Sequence, residues 1–328
     1  MSEAAELERS TGPDGRKSAR LYCLALGVAA FAFLALGFVL PQTDWAIRRA
    51  GKLSIANTGY VTTLGDRKCD VVIYGDSTAL VGLDPGLIAA RTGLPTCNIA
   101  EYAGMTMVNG TLVPDLYLER RPSPKVWVFN FAPENLAPYH AWDTVSLYEA
   151  ILFRLREKPD FSTFWLLLTH PKDAMGFATL GARISLTGLL KPPLRGPLTQ
   201  LRADHLGRLP LAAPALTNCQ SEKREHAADP AYVEMWRSRY DHDGAVVLVN
   251  QTPEPECDPT LDFYRSHPAP TDNRLETYPV SAFNTSGRLH MTQAGWTRYS
   301  GEVADQIVAA LQRKAASGAG AVYSKAND

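Results

Sequence analysis

Gly75-Asp76-Ser77 follows a short β-branched run, Asp70-Val-Val-Ile-Tyr74, and stands before a helix-forming stretch. A serine at a strand-to-helix turn carries its hydroxyl at the carboxyl edge of the sheet, where open α/β sheets bind ligands. The N–H groups of the adjoining helix start suit a developing oxyanion. Such a hydroxyl becomes a nucleophile at neutral pH only with a base in reach, and histidine fits that role. Leu289-His290-Met291-Thr292-Gln293-Ala294-Gly295-Trp296 supplies one near the C-terminus, directly before the last apolar-periodic helix. Gly104, after the second strand, and Asn130 and Asn135, which bracket the end of the third, are further candidate oxyanion donors. The chemistry these types imply is attack of Ser77 on an acyl carbonyl with His290 as general base. The bland alternative is a turn serine capping a helix and a surface histidine before another.

The elements that position these residues follow from pattern. Asp70–Tyr74, Thr96–Ala100, Lys125–Phe131 and Ala245–Asn250 read as buried strands. Asp84 as N-cap with Pro85 behind it opens a helix that Gly93 stops. The stretch from Thr106 to Arg121 reads as helical, and Thr292 caps a last helix with Trp296, Tyr299, Val303, Ile307 and Leu311 on one face. This alternation predicts a parallel sheet with helices on both faces, a three-layer α/β/α sandwich of flavodoxin-like type. The segment from about 142 to 240 is mostly helical in periodicity, with breaks at Pro192-Pro193, Pro197 and Pro210, and reads as a helical insertion. Within it Phe177, Leu180, Ile184 and Leu190 recur at helical spacing, with Arg183 on another face; residues 171–200 lie either against a bilayer or on the core.

Residues 21–40, LYCLALGVAAFAFLALGFVL, contain no charge. As a helix they span roughly 30 Å, one hydrocarbon core. No small-x-small cleavage site follows, so the segment reads as an uncleaved transmembrane anchor rather than a signal peptide. Residues 1–20 form a cytosolic tail, 41–66 a juxtamembrane connector, 67–313 the α/β domain with its insertion, and 314–328 a flexible tail. The expected location is the inner (cytoplasmic) membrane, single-pass, with the bulk of the chain extracytoplasmic, in the periplasm. In the 328 residues, 33 Lys and Arg face 34 Asp and Glu, so nothing draws this chain to nucleic acid. No CxxC, HExxH or Cys/His cluster is present, and neither metal nor cofactor is expected. Cys69, Cys97, Cys219 and Cys257 are an even set for an oxidising compartment, while Cys23 lies in the span. Asn109, Asn250 and Asn284 head Asn-x-Ser/Thr sequons.

GDST at 75–78, Gly104 after the second strand and the LHMTQAGW block together resemble the SGNH (GDSL-type) hydrolase superfamily over roughly Cys69–Gln312, the insertion excepted. The resemblance implies Ser77 as nucleophile and oxyanion N–H donor, Gly104 as the second N–H donor and His290 as base. The third-block Asn falls on Asn135 or Asn130, since Glu134 occupies the expected slot. The family's Asp stands three residues before the His, and Gly287 stands there instead. That departure leaves a Ser–His dyad oriented by a backbone carbonyl, an Asp from elsewhere such as Asp272, or an inactive site. Under the dyad reading Gly287→Asp is expected to preserve or raise turnover.

The N-terminal span together with the Leu83-Asp84-Pro85 helix start is similar to D-alanine transfer proteins of teichoic acid modification and to exopolysaccharide O-acetylation proteins. It implies acyl transfer to, or hydrolysis from, a surface glycan beside a membrane-bound O-acyltransferase. A non-catalytic assembly subunit and a plain anchored lipase or esterase are the competing readings. An α/β-hydrolase is disfavoured, because its nucleophile follows several strands, whereas Ser77 ends the first. In the SGNH-type fold the first two strands are parallel neighbours, about 4.8 Å apart, which places Cys69 and Cys97 within disulfide reach. Cys219 and Cys257 are the remaining pair.

Overall fold

The computed structural model describes residues 13–43, 45, 60–64, 67–138, 144–169, 171–190, 204–219, 223–242 and 244–325. The chain divides into two compact units: Met1–Lys52 with Ile151–Leu194, and Leu53–Ala150 with Arg195–Asp328. Each is described on its own.

The larger unit is α/β, as the alternation of elements predicts. Four strands, β1 (Val71–Gly75), β2 (Thr96–Asn98), β3 (Val126–Phe131) and β4 (Val246–Gln251), form a parallel sheet in the order β2-β1-β3-β4. β1 and β3 are buried over their whole length, which is why they read as unbroken apolar runs rather than alternating ones. The pleat still sorts their side chains. Val71, Ile73, Val126 and Val128 join one core cluster with Leu80, Ile88, Tyr299, Val303 and Ile307. Leu80, Ile88 and the last three lie on α3 (Ser77–Gly82), α4 (Pro85–Thr92) and α12 (Gln293–Lys325).

On the opposite face Tyr74, Trp127, Phe129 and Phe131 meet Tyr117, Trp236 and Tyr240 in an aromatic layer, with ring centroids 4.8–6.3 Å apart. Tyr117 belongs to α6 (Leu112–Arg120); Trp236 and Tyr240 belong to α10 (Pro230–Tyr240). Offset and edge contacts of this kind add to the large apolar area that each ring buries.

Local chemistry sets the element ends. The Asp84 carboxylate accepts from Gly86 N and Leu87 N, and Gly93 closes α4 in the left-handed region. The stretch expected as one helix from Thr106 to Arg121 is two, α5 (Ala103–Asn109) and α6, because Gly110 turns to φ +54° between them. A short β5 (Glu254–Pro255) pairs with β6 (Thr277–Tyr278), and α11 (Leu261–Ser266) lies between them in sequence.

The smaller unit holds α1 (Pro13–Leu34), a π turn at Ala35–Val39 and a 3-10 turn at Leu40–Gln42. Residues Lys17–Gln42 are long and apolar enough to cross a membrane. α8 (Phe161–Thr169) and α9 (Pro171–Leu190) belong to the same unit, and the boundary falls inside α7 (Thr144–Glu157).

Four boundaries differ from expectation. The insertion of 142–240 is not one body: its portion from Ile151 to Leu194 groups with the N-terminal apolar helix, and α10 packs on the sheet. The connector is not mere linker, since Tyr60, Val61 and Leu64 are buried around α2 (Tyr60–Thr63) in the larger unit. The tail expected to be flexible from 314 is helical to Lys325, because alanine-rich sequence prolongs an existing helix cheaply without any amphipathic signal. Of the stripe, Phe177, Leu180 and Ile184 face inward and are buried as packing surface, whereas Leu190 is exposed; residues 191–200 lie outside the described residues.

Asn109, Asn250 and Asn284 are buried, so their sequons cannot carry glycans on the folded protein. Cys69–Cys97 and Cys219–Cys257 are disulfides with Cα atoms 5.8 and 5.9 Å apart, and Cys23 is a free thiol. The first bridge closes a loop of 28 residues. Its removal by Cys69→Ser/Cys97→Ser is expected to cost about 3–4 kcal/mol, lowering the melting temperature by roughly 10 °C. A scan of the double variant beside the wild type checks this.

Candidate active site

β1 and β3 are neighbours whose onward connections run to opposite sides, to β2 and to β4, so the carboxyl ends of β1 and β3 flank the switch point of the sheet. The turn after β1 lies there. Gly75 pairs with Asn130 at the last rung, and a Cβ on Gly75 would meet Asn130 O at 1.8 Å while φ is +155°. Only glycine lets the chain turn this close to β3.

Asp76 is the N-cap of α3 and is 1% exposed. Its Oδ1 accepts from Thr78 N at 2.8 Å and Thr78 Oγ1 at 2.6 Å; its Oδ2 accepts from Ala132 N at 2.8 Å and Asn135 Nδ2 at 2.6 Å. Ser77 is the first helical residue, half-buried beside that carboxylate. Thr78 N–H is taken by the cap and Leu80 N–H by Asp76 O, so Ser77 N–H is not part of the capping set. Gly104 lies in the first turn of α5. That helix is tied to the same turn: Glu101 N and Thr106 Oγ1 both donate to Gly75 O, at 3.0 and 3.1 Å.

The two asparagines separate. Asn130 is fully buried in a proton-ordered chain. Tyr299 OH donates to Asn130 Oδ1, while Asn130 Nδ2 donates to Thr252 Oγ1 at 2.9 Å and Thr78 Oγ1 at 3.4 Å. Both amide hydrogens are thereby used, so Asn130 is a structural residue in this arrangement. Asn135 spends one amide hydrogen on Asp76 and keeps the other.

His290 is 6% exposed, on a loop whose other end is held by Asn284 N donating to His290 O at 2.8 Å. Its Nδ1 lies 3.0 Å from Ser286 Oγ. The direction of this bond is determined. Ser286 N–H, an unambiguous donor, bonds Asn284 Oδ1 at 2.9 Å, and Asn284 Nδ2 donates to Met291 O at 2.8 Å. The Ser286 hydroxyl also donates to Asn284 Oδ1, at 2.5 Å. Its single proton is spent there, so Ser286 Oγ accepts from Nδ1–H. Nε2 is left with its lone pair, the form a general base requires.

The partner of Nδ1 is therefore a side-chain hydroxyl rather than a backbone carbonyl. Asp272 is engaged elsewhere, accepting from Val249 N at 2.7 Å and Arg237 Nη2 at 3.2 Å. Ser286 and Asn284 were not singled out for catalysis from sequence. The signal available was a short polar pair, Asn-x-Ser, just ahead of the His. Gly287 lies under the imidazole, and a Cβ there would meet His290 Cε1 at 2.6 Å and Nδ1 at 2.7 Å. An Asp at 287 can enter only by pushing the ring aside, which reverses the expectation that it would help.

Arg288 anchors the loop below the histidine. Its guanidinium pairs with Glu134, Glu254 and Asp258 at 2.5–3.3 Å. Glu134, in the slot expected for the third-block Asn, thus ties the end of β3 to the histidine loop. Burial pushes the Glu254 carboxyl well above its usual range, against the pull of Arg288. Leu289, next to His290, holds φ +58°, a strained conformation for a bulky residue, kept there by burial.

His290 and Ser77 share no hydrogen bond. The Asp76 carboxylate acts on His290, raising its pKa, but burial is the stronger influence and the net direction is down. A cleft of about 800 Å³ lies behind the loop, lined by Asp84, Arg208, Asn284, Gln293 and Trp296 among others; neither Ser77 nor His290 is among its lining residues.

Four outcomes are expected. The unfolded chain binds the histidine proton first, so His290 contributes stability that is complete above about 6.5 and falls as pH drops through the lower folded pKa. Any reaction that uses its Nε2 as base should keep an acid limb with a midpoint below 6.5. In any such reaction Ser286→Ala, which removes one neutral hydrogen bond of about 1 kcal/mol, is expected to lose several-fold in kcat/KM. Ser286→Asp should move the acid limb upward, since an added carboxylate favours imidazolium. Kinetic pH profiles of the two variants check both. Comparison with protein-family models, curated proteins and solved structures found no match to this chain, so its function rests on this geometry and on the residue pattern.

Proposed function

We propose that the protein is a membrane-anchored serine acyltransferase or esterase of SGNH type, built as a three-layer α/β/α sandwich. It acts outside the cytoplasmic membrane on acyl esters of a surface polysaccharide, beside a membrane-bound O-acyltransferase. The observation that carries the reading is the bonding chain Asn284–Ser286–His290, which leaves the Nε2 lone pair free on an imidazole within the electrostatic reach of Asp76, next to Ser77.

In this mechanism Nε2 takes the Ser77 proton as Oγ attacks the acyl carbonyl. The tetrahedral oxyanion is held by Ser77 N–H, Gly104 N–H and the second amide hydrogen of Asn135. The imidazolium then protonates the leaving alkoxide, and a glycan hydroxyl or water repeats the cycle on the acyl-enzyme. No charged partner stabilises that imidazolium directly; the Ser286 hydroxyl and the field of Asp76 take that place. Each oxyanion donor is worth about 10²–10³ in rate. Catalytic hydrogen bonds often tighten only when substrate binds, which accommodates the missing Ser77–His290 bond.

One observation favours a second reading, an assembly subunit without turnover: no carboxylate orients His290, and Ser77 is not bonded to it. Labelling by a fluorophosphonate separates the two. The acyltransferase reading expects modification of the wild type, none of Ser77→Ala and at least hundredfold slower modification of His290→Ala. An unlabelled native protein, or full glycan acylation in cells by both variants, rejects it.

A further inference from the structure

The smaller unit carries an apolar exterior that extends beyond the anchor. α9 lies against the last turns of the span. Ser185 Oγ donates to Leu36 O at 2.7 Å, and the Phe38 and Phe177 rings are 4.9 Å apart. A Cβ on Gly181 would fall 1.8 Å from Gly37 O, and one on Gly37 would fall 2.8 Å from Ala178 O, so the backbones touch. This is the close, small-residue packing by which helices associate inside membranes. The π turn at Ala35–Val39 coincides with the contact.

The contact fixes depth. Gly37 precedes Gln42, the end of the apolar helix, by five residues, about 8 Å along the axis. Phe177 meets Phe38 and Ser185 meets Leu36, so α9 runs deeper toward its C-terminus. Leu186, Leu189 and Leu190 on α9 nevertheless point outward, Leu190 at 84% exposed, as do Phe161, Trp165 and Leu168 on α8, Leu168 at 71%. On α9 the small residues Ala178, Gly181 and Ala182 are used inside, and the outward face carries Leu186, Leu189 and Leu190. Protein–protein contacts in membranes favour the reverse, so lipid fits this face better than a partner helix.

We propose that α8 and α9 are embedded in the leaflet at the carboxyl end of the anchor, with their outward leucines and aromatics among lipid acyl chains. Arg183, exposed on the same side of α9 at the depth of Leu36 and Gly37, reaches up to a lipid phosphate. An apolar slot of about 400 Å³ between Phe38, Val39, Gln42, Leu155, Phe164 and Leu168 takes an acyl chain from the same leaflet. The anchor is then a structural part of the folded unit, which removal as a signal peptide would dismantle.

The test uses the full chain in Cys23→Ser background, reconstituted in phosphatidylethanolamine/phosphatidylglycerol vesicles. Single cysteines at Leu168→Cys, Leu189→Cys and, as control, Lys125→Cys carry an environment-sensitive fluorophore. The proposal expects the first two to be quenched at least threefold more strongly by doxyl-labelled lipid than the control, and shielded from iodide. Iodide quenching of all three alike overturns it. Shielding of positions 168 and 189 that appears only when a second membrane protein is reconstituted also overturns it, assigning the face to a protein instead. None of these readouts depends on acyl transfer.

Discussion

The Asp76 carboxylate is the point on which the rest of the α/β unit depends. A buried charge is tolerable only when its lone pairs are filled, and four donors fill these: two from α3, one from the backbone after β3 and one from Asn135. The two from Ala132 N and Asn135 Nδ2 fasten the end of β1 to the end of β3, where the sheet parts. Through Thr78 the anchorage continues to Thr252 and Asn130, and so to Tyr299 on α12. Hydrogen bonds linked in a chain in low dielectric strengthen one another, and the strand ends are held as a unit rather than as separate loops. Ser77 inherits its position from this arrangement and contributes nothing to it.

The histidine loop is held by different forces. One side is neutral, the Asn284 amide spanning Ser286 and Met291; the other is ionic, Arg288 among three carboxylates. Replacing such a buried ionic group by apolar residues often costs nothing, whereas removing one member leaves unpaired charge. Its value here is directional: it draws Glu134, after β3, and Glu254, after β4, to the residue two before His290.

What the sequence disclosed, and what it hid, divides along the same physical line. Elements set by local chemistry were legible: Asp84, Pro85 and Gly93 define α4, and the β-branched and aromatic runs define β1 and β3. Gly75-Asp76-Ser77 and His290 stood out because their residue types are unusual at those places. The orienting role of Ser286 was illegible, since a serine two residues after an asparagine is ordinary loop composition until the fold folds it back over the imidazole. Asn130 and Asn135 were interchangeable in sequence; only the Tyr299 contact on one and the Asp76 contact on the other tell them apart. The burial of Phe177, Leu180 and Ile184 depends on Gly37 far away in the chain, a partner no local period reveals. The helical course of the tail escaped because alanine-rich sequence has no amphipathic face.

The order of strands in the sheet also has a temporal meaning. β3 pairs with β4 over six residues, yet more than a hundred residues separate Phe131 from Val246. During synthesis at roughly 5–20 residues per second, β3 waits several seconds with one hydrogen-bonding edge unsatisfied. That edge is flanked by Trp127, Phe129 and Phe131, whose ring partners Trp236 and Tyr240 are themselves late to emerge. An open apolar edge is a template for wrong pairing. Because Ile151–Leu194 groups with the apolar helix that precedes the whole sheet in the chain, much of the intervening chain can be sequestered before β4 exists. The remaining loop to be closed is then shorter than its sequence length, with a smaller entropy of closure. The apolar helix is thus a folding partner, and its loss would show first in the yield of correctly paired sheet.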